Sequence, residues 1–165
     1  MIVALGVLLL LAGLLVQGSI LPSFPVLGVR ADLVLLIVLA WSVLRGFPGA
    51  LAMAWGGGVL LDLVSGTPFG AHTLALGLVA PAAVLTTRHL LADSLLPALG
   101  VALAGTLAYD LVLLLALQAN QVPVAWGPAF WSVALPSAIV NALAMPLIYL
   151  PLLRAAGRGS AMSAA

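Results

Sequence analysis

Cysteine, lysine and glutamate are all absent from this 165-residue chain. The lack of cysteine excludes disulfides and thiolate metal sites. Without lysine and glutamate, five arginines and four aspartates carry all the formal charge, 5% of the residues. An ordinary water-soluble domain has roughly 25%, and none covers its surface with so little polar chemistry. A net charge of +1 supplies no basic stripe for nucleic acid and no lysine cluster for anionic lipid. No nucleophile, base and orienter triple is visible, and no phosphate loop follows a strand. Gly56-Gly57-Gly58 is a packing or bending feature instead. Neither catalysis nor a cofactor is expected.

What remains is apolar: 65% of the residues are hydrophobic and the mean hydropathy is +1.34, which marks an integral membrane protein. A spanning helix needs about 20 apolar residues. Candidate spans cover residues 2–21, 32–44, 49–64, 71–87, 95–117 and 129–153, separated by turn-forming Gly, Pro and polar residues such as Arg45-Gly46-Phe47-Pro48. The expected fold class is all-α with six transmembrane helices, the second and third short. They form one domain over residues 1–153, followed by a short, polar, disordered tail over 154–165. No basic residue precedes the first apolar stretch and no Ala-x-Ala site follows it, so it reads as a retained span rather than a signal peptide. Pro136, Pro146 and Pro151 are expected to interrupt the last span.

Six spans put both termini on one side. Arg45, Arg88, Arg154 and Arg158 then share a side with the termini, and only Arg30 lies opposite. The excess of arginine assigns that side to the cytoplasm, and Trp126 and Trp131 become belt residues at the outer interface. The second span reaches only about 20 Å at 1.5 Å per residue, short of a roughly 30 Å hydrocarbon core. Short spanning helices are favoured over a re-entrant hairpin, whose tip would hold Arg45 at mid-membrane.

Small residues at four-residue spacing mark close helix contacts in lipid. Three such seams appear: Ala50, Ala54 and Gly58; Gly100, Ala104 and Ala108; and Ala134, Ala138 and Ala142. The first ends in Asp62, which is expected to accept backbone N–H groups in the turn that runs through Ser65, Gly66 and Gly70 to His72. One His and one Asp are too few for a metal site, and His89 reads as a solvated loop residue. Asp32 suits a helix N-terminus. Arg30 is expected to pair with Asp62 or Asp110, and Thr106 to donate to Asp110 one turn later. Asp110 inside a span admits two readings, a proton or cation site and a structural partner, and the structural one is favoured. Asn141 is expected to bond the carbonyl freed by Pro146.

The run Val29-Arg30-Ala31-Asp32-Leu33, then Arg45-Gly46, then Gly57-Gly58-Val59-Leu60-Leu61-Asp62-Leu63-Val64-Ser65-Gly66, followed by Gly70-Ala71-His72, resembles the rod shape-determining protein MreD family. Ala31 stands where that family usually has Pro. The size and six-span layout agree over nearly the whole chain, whereas the specific motifs lie between Arg30 and His72. The resemblance implies a non-enzymatic scaffold of the bacterial cell-elongation machinery in the inner membrane. It implies binding to MreC, work with RodA and a penicillin-binding transpeptidase in peptidoglycan synthesis, and an indirect link to MreB filaments.

The fold of this family is also similar to the substrate-binding S components of energy-coupling-factor vitamin transporters, which supplies the alternative function. Such a pocket needs several aromatics and hydrogen-bonding side chains. The outward loops offer only Trp126, Trp131, Gln118, Asn120 and Gln121, so a small-molecule ligand is not expected. A proton-coupled carrier using Asp110 lacks a second buried acid or base for a relay. On the scaffold reading, Ala50, Ala54 and Gly58 present a smooth helix face to a partner's transmembrane helix, while Asp62 and its turn hold the outer end in shape.

Overall fold

The computed structural model describes residues 2–19, 28–87 and 95–162, with side chains described for 5–19, 28–87 and 95–155. Arg88, His89 and Asp93 lie outside the described residues, as does the side chain of Arg158. The elements are α1 (Ile2–Ser19), α2 (Leu33–Val64), α3 (Ala71–Thr87), α4 (Leu95–Ala119), a short α5 (Trp126–Ala129), a π-helical turn (Phe130–Ala134) and α6 (Leu135–Met162). Among the described residues, three helical stretches are long and apolar enough to cross a membrane by length and composition: Leu33–Val64, Leu95–Ala119 and Trp126–Ala155.

The 32 residues of α2 are not one rod. Gly46 has φ 72° and ψ −164°, a combination that only glycine adopts without strain. There the chain folds back, and Pro48 restarts the helix in its first turn, where a missing N–H costs nothing. A Cβ placed on Gly57 would lie 3.1 Å from Val38 and 3.2 Å from Val34. Residues 33–45 and 47–64 are therefore two antiparallel arms in close contact.

The first arm is the hub of the bundle. Val34, Leu35, Leu36, Val38, Leu39 and Ala40 are all fully buried, because α1, α4, α6 and the second arm surround them. A helix that is apolar all round and enclosed by protein shows no polar face in its sequence. It also has no need to match the bilayer thickness, which accounts for its shortness. The core continues through Leu10 on α1, Leu76 and Val79 on α3, Tyr109 on α4, and Met145 and Tyr149 on α6. Outside, Leu8, Leu15, Leu78, Leu96, Leu143 and Leu147 are more than half exposed. Lipid is the solvent such a surface requires.

The last helix differs from its expected outline. The π-helical turn ends two residues before Pro136, whose ring would press on the carbonyl one turn back in an α-helix, and the wider turn relieves that clash. Pro146 and Pro151 do not interrupt α6, and helix continues to Met162, well into the region expected to be a disordered tail. Lipid-depth helices accept proline where neighbouring groups satisfy the freed backbone.

Candidate functional site

The C-terminus of α1, the start of α2, the end of its second arm and the start of α3 meet at one end of the bundle, beside the C-terminal half of α4 and the N-terminal half of α6. Arg45 marks the other end, with its guanidinium carbon 5.4 Å from the centre of the Trp41 ring.

Asp62 sits in the last turn of α2 and is almost fully buried. Its Oδ1 accepts the His72 N–H at 2.9 Å. Its Oδ2 accepts the Thr73 N–H at 3.1 Å and the Thr73 hydroxyl at 2.6 Å. These N–H groups belong to the first turn of α3 and have no intrahelical acceptor, so a carboxylate there meets both the open donors and the positive end of the helix. Between them, the Ser65 and Thr67 hydroxyls are hydrogen-bonded at 2.7 Å, Gly66 is exposed and Gly70 turns with φ 96°. The His72 ring stacks on Tyr109 and its Nδ1 bonds the Tyr109 hydroxyl, while Nε2 is buried with no partner. Gly58 touches Thr73 so closely that any side chain there would strike the α3 backbone.

A second group ties four helices. Asp32 caps α2 through its Oδ1, which accepts the Leu35 N–H at 2.9 Å. The Asp32 N–H donates to Asn141 Oδ1 on α6 at 2.8 Å. Asn141 Nδ2 donates to Thr106 Oγ1 on α4 at 3.1 Å, and the Thr106 hydroxyl donates to the Ala102 carbonyl at 2.7 Å. Gln17 on α1 accepts the Val34 N–H at 3.1 Å. Asn141 therefore clamps α2 to α4 rather than bonding a carbonyl freed by Pro146. Thr106 is committed to Ala102 and Asn141, and does not donate to Asp110.

The expected ion pair of Arg30 is not formed. Among the described residues neither Asp62 nor Asp110 is within ion-pair distance of Arg30, whose side chain is exposed. Asp62 spends both oxygens on α3. Asp110 is half-buried, and its Oδ2 is buried without a hydrogen-bond partner. Arg30, Asp32 and Asp110 do come together, lining a chamber of about 320 Å³ with Gln17, Thr106 and Asn141. No group of three or more His, Cys, Asp or Glu residues suited to a metal occurs among the described residues.

The small-residue seams have separated roles. Ala50 and Ala54 are fully buried and Gly58 is pressed on α3, so this seam joins α2 to α3 within the chain. It is not a free face for a partner, because the hairpin at Gly46 and the Asp62 clamp close α3 over it. Gly100, Ala104 and Ala108 on α4 are exposed instead. They line an open apolar groove of about 640 Å³, with Leu78, Ala82 and Thr86 of α3 on the opposite wall. That α3 wall escaped sequence reasoning, because Leu78 at its end breaks the run of small residues that marks the other seams.

A family model described as "rod shape-determining protein MreD" matches residues 1–154. No curated protein and no solved structure matches the chain.

Proposed function

From a chain that belongs to the MreD family and so carries a role in rod-shape determination, we propose a non-enzymatic membrane scaffold that binds the single spanning helix of MreC in the groove between α3 and α4. RodA and the penicillin-binding transpeptidase join through that complex, and MreB is reached indirectly. The chain crosses the inner membrane six times, with both termini in the cytoplasm and the Asp32 end facing outward.

The observation that carries this reading is the exposed seam Gly100, Ala104 and Ala108. Without a hydrophobic drive between helices in lipid, a groove floored by small residues gains from a second helix what a bulky lipid-facing surface does not: close backbone approach and dense van der Waals contact. From Leu96 to Val112 the groove advances about 24 Å at 1.5 Å per residue, most of a roughly 30 Å hydrocarbon core. A single spanning helix fits that length. The rival S-component reading asks for an aromatic-rich pocket, and among the described residues Tyr109 is the one aromatic on the wall of the chamber.

The test is co-purification of MreC in mild detergent with Ala104→Leu or Ala108→Leu. Both side chains point into open groove, so the fold is expected to survive while MreC recovery falls at least tenfold. Recovery at the wild-type level would remove the groove from the interface.

A further inference from the structure

We propose that the chamber at the Asp32 end binds a small zwitterion, in which an ammonium group lies two or three atoms from a phosphate or carboxylate. This is independent of the groove and of the scaffold reading.

Most polar groups of the chamber are used up by the fold. Gln17, Asn141 and Thr106 tie helices, and one oxygen of Asp32 caps α2. Two charges are left over. Asp110 keeps a buried Oδ2 with no donor, and among the described residues Arg30 forms no ion pair, although both line the same space. A buried carboxylate oxygen without a donor is costly. If holding the fold were the whole task, Arg30 would close on Asp110. An ammonium seated against Asp110 and Asp32, with its anionic end toward Arg30, completes both groups together.

Size and surroundings narrow the class. A space of about 320 Å³ is on the order of ten times the ~30 Å³ share of one liquid water, enough for a headgroup-sized molecule. Next to it lies a second chamber of about 420 Å³, sharing the Gln17 and Asp32 wall and lined by Leu14, Leu15, Leu61 and Val64. His72, 8% exposed and with Nε2 unpartnered, lies on its wall. A polar chamber beside an apolar one at the membrane surface suits an ethanolamine-phosphate group. That group comes either free or as the head of phosphatidylethanolamine.

The experiment uses the full chain. In neutral detergent, glycerophosphoethanolamine is titrated by calorimetry against wild type, Asp110→Asn and Arg30→Gln, with glycerophosphocholine as the probe whose quaternary ammonium cannot donate. In parallel, the three proteins are reconstituted with phosphatidylethanolamine or phosphatidylcholine, and retained lipid is read by native mass spectrometry. Saturable 1:1 binding of the ethanolamine probe, at least tenfold weaker in each variant and at least tenfold weaker for the choline probe, supports a free-ligand site. Retention of phosphatidylethanolamine over phosphatidylcholine, lost in the variants, assigns the same chemistry to lipid. Failure of the wild type in both arms, or equal binding by wild type and Arg30→Gln, overturns the proposal. Arg30 is exposed, so its variant keeps the test decisive even if Asp110→Asn disturbs folding. MreC co-purification with Arg30→Gln is expected to stay at the wild-type level, which separates this claim from the groove.

Discussion

Asp62 caps a helix that begins only after a loop, reaching His72 ten positions later. One carboxylate thereby fixes the angle between the second arm of α2 and α3, the contact that Gly58 makes close. Asp62→Ala strands two backbone donors and a hydroxyl, and is expected to cost about 2 kcal/mol, from the usual range for a lost cap and a buried charge-assisted bond. Asp62→Asn keeps one acceptor and is expected to lose about half as much. Denaturant unfolding in detergent checks the order, and an Ala variant as stable as wild type would refute the clamp. Roles of this kind are legible in sequence because donor and acceptor lie in one turn region. Asn141 is the opposite case. Its partner, the Asp32 N–H, is 109 positions away, and nothing local distinguishes a cross-helix clamp from a neighbour of Pro146. Arg30 misled for a related reason. Charge arithmetic suggests a partner, but Asp110 shares a chamber with Arg30 without pairing to it, and Asp62 is already engaged.

At the scale of elements, α2 decides the architecture. Its break was readable from Arg45-Gly46-Phe47-Pro48, and the shortness of its arms was readable from counting. Enclosure of the first arm on every side was not, since an all-apolar run has no phase to say which face meets protein. Gly46→Ala adds a Cβ that meets nothing within 4 Å, so its cost is purely conformational. About 1–3 kcal/mol is expected for a non-glycine residue in that region, seen as a lower thermal midpoint. No change would mean that the fold-back relaxes to another geometry. The two seams make the complementary prediction. Ala54→Leu overfills a site that is fully buried and is expected to cost at least about 1–3 kcal/mol. Ala104→Leu, on the open groove, is expected to leave stability within about 0.5 kcal/mol, as surface substitutions usually do. Equal destabilisation by both would contradict the assignment of one seam to the inside and one to the outside. Spacing alone flagged these two seams along with the third on α6, and only tertiary packing separates inside from outside.

At the scale of the whole molecule, the proposed orientation rests on where the arginines fall. Arg45 and Arg154 are exposed at the end opposite Asp32 and Asp62, so the arginine excess falls on the proposed cytoplasmic side. Absence of cysteine makes the chain ready for single-cysteine mapping. A cysteine at Gln121, in the exposed connection after α4, is expected to react with an impermeant maleimide in spheroplasts. One at Phe47 is expected to react only after permeabilisation. The reverse pattern would invert the topology. The proposed docking of MreC runs along Gly100, Ala104 and Ala108. A photo-crosslinking residue at Ala104 measures it most directly, with Leu147 on the exposed face of α6 as the comparison. An MreC adduct is expected at position 104 and none at 147. An adduct at 147 with none at 104 would contradict that docking.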